Sequence, residues 1–294
     1  MADSIIGPTS HYFYSQRLKL HYVDWGNPGK PLMLMIHGGR DHCRNWDWAA
    51  LELREHFHII APDLRGHGDS DWAIGGMYSM IDYVLDVAQL MKAVANEPVT
   101  LIGHSLGGGI VLQYAGTFPR TVKRVVSIEG LGPADRMMRS LGGDLPAYER
   151  MTNWIAQMQD MARRKAREYA SIDEALARMR DANPHLSREQ ARHLTIWGVR
   201  RNENGTYSWK FDNYVHATSP YSFNMKDARD IWGRIECPTF LIRGSESWAG
   251  DWVKDGRFAA FKNAQTVTIE KAGHWVHHDQ LGEFMTVVRR FLGV

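Results

Sequence analysis

Ser105 stands at the centre of Gly103-His104-Ser105-Leu106-Gly107, directly after the apolar run Val99 to Ile102 and before the helix-like stretch Gly107 to Phe118. A strand that turns sharply into a helix holds the intervening side chain out at the tip, and glycines on either side let neighbouring backbone pass closely. The helix N-terminus, with the Leu106 amide, places partial positive charge where an oxyanion would form. The pattern predicts a nucleophilic serine. Such a hydroxyl needs a base within hydrogen-bond reach, and the base needs an orienting acid. His274, in Lys271-Ala272-Gly273-His274-Trp275 just past the last core strand, is the expected base. His277 and His278 read as surface or insertion contacts. No cysteine or carboxylate ligand spacing accompanies these histidines, and Asp279 reads as a helix N-cap, so neither a metal nor a cofactor is expected.

The elements that must position these groups alternate along the chain. Leu18, Leu20 and Tyr22 mark a half-exposed strand, while Leu32 to Ile36 and His58 to Ala61 are short apolar runs of the kind buried on both faces of a sheet. Ser79 and Asp82 form a capping-box pattern ahead of Ile81, Val84, Leu85, Ala88 and Met91 at helical spacing. After the strand Val125 to Glu129, a break at Gly130 to Pro133 opens a stretch with helices around Met151 to Met161, Ser171 to Arg180 and Ser187 to Gly198, uninterrupted by any apolar strand run. Alternation then resumes with a strand at Thr239 to Ile242, a helix at Asp251 to Lys262, a strand at Thr266 to Ile269 and a last helix from Asp279 to Leu292. This order predicts an α/β fold in which helices flank a mostly parallel central sheet, with residues 1–130 and 226–294 as the core and 131–225 as an inserted α-helical cap over the strand ends.

Composition excludes rather than selects. The 294 residues carry 35 basic and 33 acidic side chains, a formal charge of +2 that implies neither a nucleic-acid nor a membrane partner. Cys43 and Cys237 are the two cysteines, too few and too far apart for a secreted disulfide framework. The N-terminus lacks a basic and apolar secretory signal and no stretch reaches transmembrane length, so a cytoplasmic enzyme is expected. The oligomeric state has no signature.

His37-Gly38-Gly39-Arg40, the run Pro62-Asp63-Leu64-Arg65-Gly66-His67-Gly68-Asp69-Ser70, the Ser105 elbow and Ala272-Gly273-His274 together resemble the α/β-hydrolase superfamily over essentially the whole core. The resemblance implies that the Gly39 amide joins that of Leu106 in an oxyanion hole, with Arg40 lining the site. It assigns Asp63, Arg65, His67 and Asp69 structural roles in a turn-rich loop. It leaves the acid open. The turn where most members place an Asp reads Gly244-Ser245-Glu246-Ser247, and Ser247 cannot hold an imidazolium by charge. Glu129 is favoured, because some relatives, zearalenone-type lactone hydrolases among them, place the acid at that earlier strand end. A carboxylate ending an apolar strand also costs desolvation unless it is paired; a salt bridge to an insertion arginine would explain it without catalysis. Glu246 is the alternative acid, and Asp251, read as a helix N-cap, a distant third.

A serine rather than an aspartate at position 105 argues against dehalogenase and epoxide-hydrolase chemistry. What the resemblance implies is a serine hydrolase of the carboxylesterase or lactonase type, acting on a hydrophobic small-molecule ester or lactone through an acyl-enzyme. Carbon–carbon bond hydrolysis of ring-cleavage products, cofactor-free haloperoxidase or perhydrolase activity, and a ligand receptor without turnover are the alternatives on the same scaffold. Trp154, Met158, Trp197 and Trp209 are candidate pocket walls, although packing of the insertion onto the core would explain their helical spacing as well. Arg163, Arg164 and Arg167 read as a solvated face.

Overall fold

A computed structural model describes residues 7–132, 145–217, 219–221 and 224–294. Its main sheet contains β1 (Thr9–Ser15), β2 (Leu18–Asp24), β3 (Leu32–Ile36), β4 (His58–Pro62), β5 (Val99–His104), β6 (Val122–Ile128), β9 (Thr239–Gly244) and β10 (Ala264–Ile269). Their order is β1-β2-β4-β3-β5-β6-β9-β10. The β1–β2 and β2–β4 pairs are antiparallel and the rest parallel. Parallel strands covered on both faces must be apolar throughout, and their side chains must alternate between two cores. Strand β3 shows this: Leu34 and Ile36 join one cluster, Met33 and Met35 the other.

Helix α1 (Asp47–Leu53) and the last helix, α9 (Leu281–Leu292), cover one face with Leu53, Phe284 and Val288. Helices α2 (Met80–Val94), α3 (Leu106–Thr117) and α7 (Met225–Trp232) cover the other with Leu90, Ile110 and Trp232. The capping box at Ser79 forms as expected: its side chain accepts from the Asp82 amide while the Asp82 carboxylate accepts from the Ser79 amide. Since β3 is flanked by β4 on one side and β5 on the other, the chain reverses its winding direction there. A crevice opens at the carboxyl ends of strands at such a point. It receives both the His37–Gly39 turn and Ser105.

Between β6 and α7 lie α4 (Ala147–Arg163), α5 (Ile172–Ala182) and α6 (Arg188–Gly198), with Ser171 and Ser187 at the N-caps of the latter two. Pro133, where the expected break ends, lies outside the described residues, as does the start of the chain through residue 6.

Several expectations are corrected. A short antiparallel hairpin, β7 (Val199–Arg201) with β8 (Tyr207–Trp209), follows α6, its three-residue strands being too short to leave an apolar run. Strand β1, with only Phe13 and Ser15 buried, gave no core pattern either. The segment from Asp251 to Lys262 is not an α-helix. Asp251 Oδ1 accepts the amides of Val253 and Lys254 at 3.1 and 3.3 Å to close a turn, Gly256 takes a left-handed φ of 81°, and only a 3₁₀ turn at Arg257–Ala260 follows. Asp279 is not an N-cap but the last residue of α8 (Val276–Asp279), and its carboxylate accepts the Gly273 amide at 2.8 Å. Among the described residues no helix is long and apolar enough to cross a membrane.

Candidate active site

Strand β5 is buried at every position and delivers Ser105 at φ 51° and ψ −114°, a left-handed backbone that only a constrained turn imposes on a residue with a Cβ. The Ser105 amide donates to the Ile128 carbonyl at 2.8 Å and its carbonyl accepts from Gly109 at 3.0 Å, locking the elbow to β6 and α3. Glycine is required on both sides. A Cβ on Gly103 would stand 2.3 Å from the Gly107 carbonyl oxygen, and one on Gly107 would stand 2.2 Å from that of Ile36. The turn after β3 lies against the elbow, because a Cβ on Gly38 would meet Ser105 Cβ at 3.4 Å and one on Gly39 would meet Leu106 Cδ2 at 3.9 Å. His37 holds that turn. Its Nδ1–H donates to the Gly38 carbonyl at 2.6 Å and its Nε2 accepts the Leu64 amide at 3.0 Å.

His274 sits between β10 and α8, its carbonyl accepting from His104 Nε2 at 2.9 Å and its ring 4.9 Å from that of Trp248. Its Nδ1 is buried without a hydrogen-bond partner and stands 3.5 Å from Glu129 Oε2. Glu129 is 2% exposed. Its Oε1 accepts the Gly244 amide at 2.8 Å and its Oε2 accepts the Ser247 hydroxyl at 2.6 Å. Ser247 therefore serves the buried carboxylate that stands beside the histidine. Glu246 points elsewhere: its carboxylate is 3.7 Å from His185 Nε2, and both side chains are substantially exposed.

Sequence reasoning gave no role to Arg257, which is fully buried. Its guanidinium donates to the Ala249 carbonyl at 2.9 Å and to the carbonyls of Leu131 and Gly132. It thus ties the loop after Glu129 to the loop after Ser247. Only the tertiary arrangement reveals this clamp, since nothing local distinguishes Arg257 from a surface arginine.

A cavity of about 640 Å³ is lined by Gly39, Arg40, Ser105, Leu106, His274 and, from the segment between β6 and α7, Trp209 among others. Trp154, Met158 and Trp197 are not among its walls, which corrects three of the expected lining residues. Trp197 is 40% exposed and carries the Arg44 guanidinium over its ring at 3.7 Å, while α4, which bears Trp154 and Met158, buries no residue fully. The contribution of the segment between β6 and α7 comes instead from Met179 and Pro184 at and just past the end of α5 and from Phe211 after β8. Arg163, Arg164 and Arg167 are exposed, as expected.

The Pro62–Ser70 loop is wired structurally. The Asp63 carboxylate accepts from His21 Nδ1 and the Cys43 amide at 2.7 Å and from the Asp69 amide at 2.9 Å. Arg65 is paired with Asp86 at 2.6 Å.

His277 and His278 are buried and not at the surface, the first stacked on Trp46 at 4.7 Å and the second packed on Trp275 at 5.5 Å, while the His278 carbonyl accepts from Gln190 Nε2 at 2.9 Å, a contact with the segment expected as the cap. They belong to a set of buried histidines. Burial pushes His37 and His278 down to about 3 and His67 to about 4, and it holds His42, His104 and His277 below the ordinary 6.5 as well. Below pH 6.5 the unfolded chain takes up protons at these six sites and the folded chain does not, so acid favours unfolding. Asp41, Asp86 and Asp279 work in the opposite direction, because burial raises all three, Asp41 from 3.8 to about 7, and the folded state keeps protons that the unfolded state releases. The six histidines outnumber the three carboxyls. The thermal midpoint is expected to fall steadily from pH 6.5 towards pH 4 in a scanning-fluorimetry series; a midpoint unchanged down to pH 5 would contradict the neutral buried histidines.

The family model described as alpha/beta hydrolase fold matches residues 31–281. The chain is 27% identical over 294 residues to Esterase Rv0045c of Mycobacterium tuberculosis, covering 97% of this chain and 90% of that protein. It is 23% identical over 300 residues to Epoxide hydrolase 1 of Caenorhabditis elegans, covering 97% of this chain and 70% of the relative. Among solved structures, a thioesterase domain from the curacin biosynthetic pathway superposes with a TM-score of 0.84 at 22% identity, covering 96% of this chain and 99% of that one.

Proposed function

This chain belongs to the α/β-hydrolase fold family, and on that premise we propose that it is a serine hydrolase cleaving carboxylic esters or lactones of a hydrophobic small molecule through an acyl-enzyme. The observation that carries the reading is the pairing around one cavity: Ser105 on a left-handed elbow, and His274 with its Nδ1 3.5 Å from the buried carboxylate of Glu129. Glu129 fixes the imidazole with Nδ1–H towards it, leaving Nε2 as the base. Ser105 Oγ attacks the substrate carbonyl and its proton passes to His274. The amides of Gly39 and Leu106 receive the oxyanion, each worth roughly 3 to 4 kcal/mol of transition-state stabilisation. Collapse expels the alcohol, protonated by His274. Water activated by the same nitrogen then releases the acid. The 3.5 Å separation at Glu129 shortens as the imidazolium forms, as catalytic hydrogen bonds do when charge develops.

Ser247 and the Gly244 amide hold the Glu129 carboxylate, and the insertion carrying Trp209 caps the site. Likeness to an epoxide hydrolase does not transfer its chemistry. A serine alkoxide that opened an epoxide would leave an alkyl ether, which water does not cleave, whereas attack on a carbonyl leaves an ester that turns over. The relative named as an esterase supports the same reaction class. Nitrophenyl esters and aromatic lactones test the proposal: turnover by the wild type that Ser105→Ala lacks supports it, and wild-type protein inert towards the whole panel overturns it.

A further inference from the structure

The cavity beside Ser105 contains charged groups that the proposed mechanism does not use, and they are not balanced. Its two non-catalytic carboxylates are occupied. Asp279 accepts the Gly273 amide at 2.8 Å, and Glu246 stands 3.7 Å from His185. Its two arginines are not. Arg40 and Arg178 line the same cavity, and among the described residues neither side chain has a hydrogen bond, an ion pair to a carboxylate or a ring contact, while His216, the group whose charge Arg40 meets, does not neutralise it. Both residues are exposed, and one exposed arginine without a partner is ordinary; what singles these out is that two border one cavity of about 640 Å³, the size of a small-molecule site.

Arg40 carries a second signal. It follows Gly39 directly and adopts a left-handed φ of 62°, a backbone better suited to glycine, so the position keeps a long cationic side chain against its conformational preference. The same cavity is also lined by Trp209, Phe211 and Trp248.

We propose that the substrate bears a carboxylate, bound by Arg40 and Arg178, on an aromatic or apolar body whose ester carbonyl reaches Ser105. A planar guanidinium matches a carboxylate through two parallel hydrogen bonds, which makes arginine selective for that group and not merely attracted to negative charge. This inference rests on the serine-hydrolase reading and adds to it the class of substrate.

The test uses two matched pairs of esters on the full chain: phenyl hexanoate with monophenyl adipate, and phenyl acetate with 3-carboxyphenyl acetate. They place the charge on the acyl side and on the alcohol side in turn. The wild type is expected to favour the charged member of at least one pair by about tenfold in kcat/KM, the scale of a charge-assisted hydrogen bond. Arg178→Gln and Arg40→Gln should each bring that ratio close to unity. Equal or inverse preference in both pairs, or a ratio that neither variant moves, overturns the proposal. Binding separates its failure from failure of the hydrolase reading. If no ester is turned over, calorimetry with 4-phenylbutyrate against 4-phenylbutyramide still decides: preferential binding of the acid that Arg178→Gln abolishes supports the subsite, and indifference or no binding of either sinks it.

Discussion

Ser105→Ala is expected to lower kcat/KM for a nitrophenyl ester by roughly 10⁴- to 10⁶-fold, the scale on which serine hydrolases lose rate when the nucleophile is removed. The effect is large because no neighbouring group can replace the hydroxyl. The elbow holds position 105 by backbone bonds to Ile128 and Gly109, and these survive the substitution, so the variant should unfold at the wild-type temperature. Residual activity would come from the oxyanion amides and from binding alone. The measurement is steady-state kinetics on wild type and variant purified in parallel. A loss of less than about tenfold would mean that the chemistry runs through another residue.

Glu129→Gln is the second large effect, expected to reduce kcat by about 10³- to 10⁴-fold, since replacing the acid of a triad by its amide removes the charge that stabilises the imidazolium. Glutamine preserves the shape, its carbonyl oxygen still accepting the Gly244 amide and its NH2 donating to the Ser247 hydroxyl oxygen, so a fall in kcat with little change in KM isolates the charge. Glu246→Gln should change kcat by less than about threefold, because its carboxylate faces His185 and not His274. The opposite ranking of the two variants would reassign the acid to the turn after β9.

How much of this was legible in the sequence depended on the range over which each feature is encoded. The elbow was readable because its requirement is local: two glycines, a serine between them, an apolar strand before and a helix after. The alternating core was readable for the same reason. Glu129 was only partly so. A carboxylate ending the apolar run of β6 announced a need for partners, but the ones it found, Gly244 and Ser247, lie 115 and 118 residues further along. Ser247 looked like the loss of an acid and is the hydroxyl that binds one. The Arg257 clamp was hidden in a segment expected to be helical, where Asp251 and the left-handed Gly256 close turns instead. Pocket walls were the least readable. Helical spacing of Trp154 and Met158 marks an amphipathic face without saying which surface it meets, and the cavity is lined from the end of α5 and the segment after β8.

Mass spectrometry of the wild-type protein after reaction with a fluorophosphonate, which traps an activated serine as a stable phosphonyl ester, tests the central claim most directly. One adduct per chain, on the peptide bearing Ser105 and absent from His274→Ala, is the predicted result. An adduct on a different serine, or none in protein that still hydrolyses esters, would contradict the account.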